Sequence, residues 1–424
     1  MASRYGHDWP IGRSGPADWR IVACAAAPEA DGMAEIFIAG AAMTAFGRHQ
    51  DRTLRSLTEE AVAAALHDAG ATPDVVEHAV FSNAVASVLT GQACIPGQAA
   101  LRHTGLLGIP IVNVENACAS GSTALGLARA ILASGACDVA IVVGAEKLSH
   151  PDKQRSFAAF SSGYDQDEPP TAARAGAGAG SVFMEIYAQL ARDYMARSGS
   201  TEADFAHVSV KAHQHGALNP NGQYGEPITI EQVLASRLVV DPLRLLMCSP
   251  ISDGAAALVL ATERGLCRMN ADPVRILAAS LVSGRDRSPG EPTAPERAAK
   301  AAYAEAGVGP EQIDVVELHD AAAPAELIAC EELGLCEPGK GPELLRSGAT
   351  TLGGSIPINP SGGLLSKGHP VGATGCAQLV ELTDQLRGRC GPRQVEGARI
   401  ALAENAGGFL ENDAAAATVT ILGR

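Results

Sequence analysis

The stretch that decides the fold of this 424-residue chain is Asn116-Ala117-Cys118-Ala119-Ser120-Gly121-Ser122. A β-branched run at residues 109–115 enters it, and an Ala/Leu-rich run with helical spacing follows it to Ala133. This pattern predicts a strand, a tight turn and a helix, with Cys118 at the helix N-terminus. Because a helix N-terminus favours negative charge, we expect Cys118 to be a thiolate nucleophile. The alternative for a free cysteine is a buried structural role.

A second glycine-rich turn lies far along the chain, at Gly368-His369-Pro370-Val371-Gly372-Ala373-Thr374-Gly375. The imidazole of His369 ordinarily titrates near neutral pH, which suits a general base. The proline and the glycines predict a rigid turn that would hold this ring in one place. His369 is therefore the candidate base for Cys118, although an isolated Gly-His-Pro would more often be a surface turn.

Composition limits the classes of protein to which the chain can belong. Hydrophobic residues make up 46% and charged residues 19%, so a well-buried core is expected. A net charge of −15 argues against nucleic acid and anionic membranes as partners, but a local basic pocket could still bind an anionic ligand. No apolar run reaches the roughly 18 residues needed to span a bilayer. The ten cysteines lack metal-binding spacing, which predicts reduced thiols in a cytoplasmic protein.

Alternating strand and helix patterns predict an α/β protein with two core units. The first unit covers residues 35–272 and contains an insertion, the loop domain, at about 149–244, where proline and polar residues are frequent. The second unit covers residues 273–424 and has a comparable element order, which indicates an internal duplication. Residues 1–34 contain both tryptophans and predict either an extension that contacts the body or a loosely ordered tail.

These motifs resemble the thiolase family, and most closely its sterol-carrier-protein-type branch. The resemblance runs from about residue 35 to the C-terminus and rests on Asn116–Ser122, Asp241–Leu243, Ser249–Ala257, Val315–Asp320, Asn359–Gly363 and Gly368–Gly375. It implies two βαβαβαββ halves in a five-layered αβαβα arrangement, with the loop domain inserted in the first half.

The resemblance also implies roles for the site residues. Cys118 would carry the acyl group, and His369 would act as its base and help to bind the thioester oxygen. His319, at the end of a buried strand, would donate to the thioester oxyanion. A second oxyanion hole would come from the main-chain N–H groups of Cys118 and Gly407, or of Gly408 if the alignment slips by one residue. Neither a bound cofactor nor a metal is implied, and the three histidines between residues 207 and 215 predict a polar helix face rather than a metal site.

One element of the family pattern is missing. Thiolases usually have a second cysteine that exchanges a proton with the α-carbon, but the corresponding positions here hold Asn405–Gly407 and, after His319, Asp320-Ala321-Ala322. Glu326, His150 or an ordered water are candidate substitutes. Ala321 and Ala322 also stand where larger side chains are usual, which predicts a wider substrate pocket unless neighbouring side chains fill the space.

Together these patterns predict a degradative β-ketoacyl-CoA thiolase that works through an acyl-Cys118 intermediate. The acyl group would be bulky, branched or aromatic, as in a benzoylsuccinyl-CoA-like substrate. Coenzyme A, as a substrate, would enter along the loop domain and contact Ser249. The cations available for its phosphates are Lys147, Lys153, Arg155, Lys211 and His213.

Two other functions stay open from the sequence: acyl transfer to a non-CoA acceptor such as a phenolic ring, and a non-catalytic thiolase-fold subunit. The resemblance implies a homodimer or a hetero-oligomer with a small zinc-ribbon/OB-fold protein.

Overall fold

The computed structural model describes residues 34–171 and 181–424, so the predicted extension lies outside it except for residue 34. The strands are β1 Ile36–Met43, β2 His78–Ser82, β3 Ile111–Val114, β4 Val139–Glu146, β5 Leu238–Val240, β6 Leu243–Arg244, β7 Gly254–Thr262, β8 Val274–Ser283, β9 Val315–Glu317, β10 Ile400–Phe409 and β11 Ala414–Gly423.

The helices, numbered in order over the described residues, are α1 Leu54–Asp68, α2 Ala86–Thr90, α3 Pro96–Ala100, α4 Ser120–Ala133, α5 Lys153–Phe160, α6 Val182–Ser198, α7 Glu202–Gly216, α8 Ile230–Ala235, α9 Glu263–Leu266, α10 Ala294–Ala306, α11 Ala323–Glu332, α12 Gly341–Arg346, α13 Gly363–Ser366 and α14 Val371–Leu386. The predicted strand, turn and helix around Cys118 are present, and α4 begins at Ser120.

Sheet order reveals the internal duplication that the sequence pattern indicates. Nine strands lie in the order β3-β2-β4-β7-β1-β8-β11-β10-β9, and only two residue pairs between β1 and β8 join the halves. The second half contributes four described strands to the large sheet. A single bridge between Val316 and Ile358 stands where the third of its five expected strands would lie. With that bridge counted, both halves have the spatial order third, second, fourth, fifth and first strand.

Helices cover this sheet framework in the predicted five layers. Helices α4 and α14 fill the central layer, where Leu125 and Leu379 pack among residues of both halves. Helix α1 covers the outer face of the first half, and α10 and α11 cover that of the second. The fold is therefore the thiolase fold. Residues 153–244, as far as they are described, add helices and the separate β5-β6 hairpin but no strand to the large sheet. The predicted domain boundaries stay predictions.

Glycines let the two central helices approach each other closely at their N-termini. A Cβ on Gly121 would lie 2.8 Å from the main-chain nitrogen of Cys376, and one on Gly375 would lie 2.6 Å from that of Ser122. Real Cβ atoms do not approach backbone so closely, so only glycine fits at these positions. The turn before α4 and the turn before α14 consequently meet at one point.

Replacement of Gly121 by alanine tests this contact. We expect Gly121→Ala to lower the free energy of unfolding by about 1–3 kcal/mol, because the added methyl group has only backbone to displace. The measurement is urea unfolding followed by circular dichroism. The matched control is Gly126→Ala in the same helix, where a Cβ meets nothing within 4 Å. Alanine should raise stability there by roughly 1 kcal/mol, so equal stability of the two variants would contradict the proposed contact.

Candidate active site

Cys118 lies in a strained turn between β3 and α4. Residues Ala117–Ala119 form one 3₁₀ turn, and Ala117 has a φ of 48°, in the left-handed region. This conformation costs a non-glycine residue about 1–2 kcal/mol. Two hydrogen bonds hold it, since the Ala117 N–H donates to Glu115 Oε1 at 2.6 Å and the Ser120 hydroxyl donates to the Ala117 carbonyl at 2.6 Å. The turn therefore fixes the direction of the Cys118 side chain.

His369 contacts Cys118 directly, although the two residues are 251 positions apart. Its Nε2 lies 3.2 Å from the Cys118 Sγ, and its Nδ1 lies 2.7 Å from the Thr374 hydroxyl oxygen. The Thr374 hydroxyl donates its one proton to the Pro370 carbonyl at 3.0 Å, so it must accept from Nδ1–H. This assignment leaves Nε2 without a proton and directed at the thiol. The ring is placed to accept the thiol proton.

Burial makes this pair neutral at rest. Burial, and next the carboxylate of Glu146, raise the pKa of Cys118 to about 12, although the main-chain N–H groups of Cys118 and Gly408 act in the opposite direction. Burial, and next His319, lower the pKa of His369 well below its usual value. These shifts disfavour the expected resting thiolate, because desolvation of the sulfur outweighs the helix N-terminus. Cys118 must lose its proton during the reaction.

His319 completes this group of side chains from the carboxyl end of β9. Its main-chain N–H donates to Glu404 Oε2 at 3.0 Å, and its ring meets that of His369 edge to face, with centroids 5.2 Å apart. Burial lowers the pKa of His319 to about 4, so the ring is neutral. Its Nε2 is buried and has no hydrogen-bond partner within the described part of the chain. A buried polar atom without a partner needs an explanation, and a substrate oxygen bound beside Cys118 supplies one here.

The Cys118 Sγ and one ring nitrogen of each histidine lie within 4.8 Å of one another. Within residues 34–171 and 181–424, this is the one group of three or more such side chains spaced closely enough to hold a metal ion. A metal ion at this position would bind the Cys118 sulfur and block it as a nucleophile. The expected absence of a metal site stays a prediction.

Gly408, rather than Gly407, faces the nucleophile. The N–H of Gly408 lies within hydrogen-bonding reach of the Cys118 sulfur, as does the N–H of Cys118 itself. Gly407 instead lies so close to the preceding turn that a Cβ would come within 2.1 Å of the Asn116 carbonyl oxygen. Of the two glycines considered from the sequence, Gly408 is thus the one beside the sulfur and Gly407 permits close packing, and the oxyanion role of either glycine stays a prediction.

A cavity of about 520 Å³ opens beside Cys118 and His319. Its walls come from α6, α11 and residues 406–414. Ionisable side chains that the sequence reasoning missed also line it, among them Tyr187, Glu332 and Glu404. Burial raises the pKa of Tyr187 well above its usual value, that of Glu332 to about 8 and that of Glu404 to about 7. The one available sequence signal was the position of Glu404, directly before the Asn405–Gly407 motif.

Three residues predicted to bind substrate do not line this cavity. The Ser249 N–H donates to the Ala321 carbonyl at 3.0 Å, and Cys248 bridges to Ala322. Ala322 is completely buried among apolar side chains of α6, α7 and α11, including Leu327. Of the two outcomes left open for Ala321 and Ala322, this packing favours the one in which neighbouring side chains fill the space, and substrate contacts of the two alanines stay predictions. A contact between Ser249 and coenzyme A stays a prediction.

The suggested substitutes for the missing thiol also lie elsewhere. Glu326 is buried in an ion pair with Lys211 at 2.5 Å, and His150 is bonded at an exposed turn to Asp152 and Arg155.

Two of the suggested phosphate-binding lysines already form ion pairs within the protein. Lys211 pairs with Glu326, and Lys147 pairs with Asp253 at 2.6 Å. The polar helix face predicted for α7 is wrong in part, since His213 and His215 are buried.

Comparison with known proteins identifies the family. The family models for the thiolase N-terminal domain and for the thiolase C-terminal domain-like region match residues 36–264 and 282–424. The chain is 38% identical over 386 residues to human sterol carrier protein 2. The match covers 88% of this chain and 70% of that protein.

Two further relatives carry enzyme names. The chain is 38% identical over 383 residues to an acetyl-CoA acetyltransferase of Methanothermobacter thermautotrophicus, with 89% and 97% of the two chains covered. It is 36% identical over 384 residues to the benzoylsuccinyl-CoA thiolase subunit BbsB of Thauera aromatica, with 88% and 95% covered.

Among solved structures, the Ltp2-ChsH2(DUF35) aldolase matches with a TM-score of 0.75 and 26% identity, over 92% of this chain and 98% of that one. No described helix is long and apolar enough to cross a membrane. The two matching domains and the enzymes that share them lead to one conclusion: the chain belongs to the thiolase family and is an acyl-CoA acyltransferase of the β-ketothiolase type.

Proposed function

We propose that this acyltransferase cleaves a β-ketoacyl-CoA with coenzyme A through an acyl-Cys118 intermediate. The observation that carries the proposal is the neutral Cys118–His369 pair, with 3.2 Å between Sγ and Nε2, beside the unpartnered Nε2 of His319. A nucleophile, its base and an electrophilic donor are what acyl transfer to sulfur requires. All three groups lie within 4.8 Å of one another.

In the first half of the reaction, His369 Nε2 takes the thiol proton while the Cys118 sulfur attacks the β-keto carbon. The N–H groups of Cys118 and Gly408 then stabilise the alkoxide, a contribution of about 3 kcal/mol for each donor. Collapse of the alkoxide breaks the bond between the α- and β-carbons, and its electron pair passes to the departing CoA thioester. His319, as the Nε2–H tautomer, donates to the enolate oxygen of that thioester.

In the second half, coenzyme A attacks the acyl-Cys118 thioester. The Cys118 sulfur leaves and recovers its proton from His369. The ring of His369 can return to the same position each time, because its Nδ1–H stays bonded to Thr374. Thr374 therefore acts as a positioning residue.

The proposed acyl group is bulky, branched or aromatic, and the proposed direction is degradative. A cavity of about 520 Å³ is within the range for drug-sized ligands and far larger than an acetyl group needs. Apolar side chains such as Phe183, Ile328 and Phe409 line it. The benzoylsuccinyl-CoA thiolase subunit among the relatives supports an aromatic substrate. Cleavage is proposed over synthesis because the second thiol is missing, and a carboxylate is a weaker base toward an acetyl group than a thiolate.

We also propose that the chain assembles into oligomers. Strand β3 is the outer strand of the large sheet, and the apolar side chains of Ile95, Leu107 and Val112, in or near it, are exposed. An apolar outer strand suits pairing with a second copy of the chain. The relatives named as a thiolase subunit and as the Ltp2-ChsH2(DUF35) aldolase support a small second protein, such as a zinc-ribbon/OB-fold subunit. A cytoplasmic location fits the nine free cysteines of the described residues.

Replacement of Cys118 by alanine tests the proposed reaction. Purified enzyme incubated with β-ketoacyl-CoA thioesters should gain the mass of the acyl group, and Cys118→Ala should not, as measured by intact-protein mass spectrometry. Added coenzyme A should remove the adduct. An adduct removed only by a phenolic acceptor would favour acyl transfer to that acceptor, and no adduct with any thioester would favour a non-catalytic subunit. Cys94→Ala, at an exposed cysteine, is the matched control.

The protonation of Cys118 can be tested by alkylation. Because its pKa is about 12, the fraction of thiolate is small at pH 7 and grows with pH, so the iodoacetamide rate at Cys118 should rise about tenfold per pH unit from 7 to 10. Peptide mass spectrometry gives this rate, with free cysteine in solution as the reference. A rate that becomes constant below pH 9 would mean a thiolate at rest and contradict the neutral pair.

The proposed β3 interface predicts the mass in solution. Light scattering after size exclusion should give about twice the 43.3 kDa of one chain, and Val112→Lys should give one chain, since a charge on an outer strand prevents pairing. The control Leu238→Lys changes a leucine of the small hairpin that is more exposed than Val112, and it should stay dimeric. A wild-type monomer would argue against the homodimer and leave the small second protein as the partner.

A further inference from the structure

We propose that Glu404 is the acid and base that exchanges a proton with the α-carbon of the substrate. This inference rests on the proposed thiolase reaction and assigns the step that the missing second cysteine leaves without a residue. Glu404 lies near the carboxyl end of β10 and lines the same cavity as Cys118 and His319. One of its oxygens is anchored and the other is available to substrate.

The anchor holds the carboxyl group beside His319, the residue that binds the thioester oxygen in the proposed reaction. Glu404 Oε2 accepts the main-chain N–H of His319 at 3.0 Å, while Oε1 has no hydrogen-bond partner within residues 34–171 and 181–424. In the proposed reaction His319 Nε2 binds the thioester oxygen, and the α-carbon is only two bonds from that oxygen. A carboxyl group fixed to the main chain of His319 therefore stays close to the α-carbon through the reaction.

Other buried carboxyl groups near the site are already engaged. Glu146 accepts several main-chain N–H groups, including that of Gly372 at 2.9 Å. Asp320 accepts the Leu364 N–H at 2.7 Å, and Glu326 forms an ion pair with a buried lysine. None of these three carboxyl groups lines the cavity. Asp320 Oδ2 and Glu326 Oε2 also have no hydrogen-bond partner among the described residues, so what distinguishes Glu404 is its place in the cavity wall.

Among the other carboxyl groups that line the cavity, Glu332 is the strongest competitor, because burial raises its pKa as well. Its carboxylate is bonded to the Thr293 side chain, whereas that of Glu404 is bonded to His319. Burial raises the pKa of Glu404 to about 7, and the His319 N–H opposes the shift. A carboxyl group with a pKa near the working pH can both give and take a proton. The neighbouring ionisable groups are Tyr187, His319 and Glu332, and both the phenol and the imidazole are neutral.

The protons balance over a complete cycle. When the bond between the α- and β-carbons breaks, its electron pair remains on the α-carbon, which takes the proton of neutral Glu404. Glu404 is then a carboxylate, and His369 still holds the thiol proton of Cys118. Coenzyme A loses its thiol proton to water and attacks the acyl-Cys118 carbonyl as the thiolate, while the Glu404 carboxylate takes up a proton from water. The departing Cys118 sulfur takes the proton from His369, which restores both groups.

Two exchange reactions separate this step from the chemistry at sulfur. Exchange of labelled coenzyme A into an acyl-CoA needs only Cys118 and His369. Exchange of α-hydrogens for deuterium, with the same acyl-CoA in D₂O, also needs the α-carbon base. The enzyme, with any second protein with which it assembles, is tested with acetyl-CoA and phenylacetyl-CoA by mass spectrometry. We expect Glu404→Gln, which keeps an oxygen for the His319 N–H, to retain coenzyme A exchange within about threefold and to lose α-exchange by at least about 100-fold.

Partial recovery of α-exchange in Glu404→Asp would support the assignment further. The assignment is overturned if Glu404→Gln keeps α-exchange, if Glu332→Gln loses it instead, or if the wild type exchanges coenzyme A but no α-hydrogens. Loss of both reactions in Glu404→Gln would assign a structural role and equally overturn it. Failure of the proposed function looks different, because the wild type would then exchange no coenzyme A and Cys118→Ala would change nothing.

Discussion

The close contact between the N-terminal turns of α4 and α14 is the constraint on which this site depends. Each helix begins directly after one half of the nucleophile–base pair, and glycines at Gly121 and Gly375 remove the side chains that would separate them. The contact lies in the central layer, enclosed by both halves of the sheet. Precise placement of Cys118 against His369 is thus a property of core packing rather than of a surface loop, which explains how residues so distant in sequence remain at a fixed separation.

Enclosure in the core also sets the charge state of the site. The same burial that fixes Cys118 and His369 disfavours their charged forms, so the pair rests as thiol and imidazole. Charge then develops only when substrate is bound. The substrate oxygen on which it develops is stabilised by the otherwise unpartnered His319 Nε2 and by the main-chain N–H groups. Such a site is expected to react slowly with other electrophiles at neutral pH, and its reactivity toward substrate is a consequence of binding.

The sequence predicts what depends on local pattern and on the ends of elements. Strand and helix periodicity predicts the two halves, and residues at the ends of their elements, such as Cys118 and His319, can be placed near each other before any coordinates exist. Prediction from the sequence fails where packing between distant elements decides which side chains meet. Nothing local shows that Ala322 is covered by the inserted helices, or that Tyr187 on one of those helices reaches the cavity. The balance between desolvation and a helix N-terminus at Cys118 likewise depends on how much protein surrounds the sulfur.

The repeated strand order has a consequence for the origin of the site. Cys118 follows the third strand of the first half, and His369 follows the bridge that takes the place of the third strand in the second half. The two residues therefore occupy equivalent positions about a pseudo-twofold axis that passes between α4 and α14. A self-associating ancestor would have brought two copies of one turn together at this axis. Fusion of the copies would have freed each turn to diverge, one toward a nucleophile and the other toward a base, so that catalysis arose from the loss of symmetry.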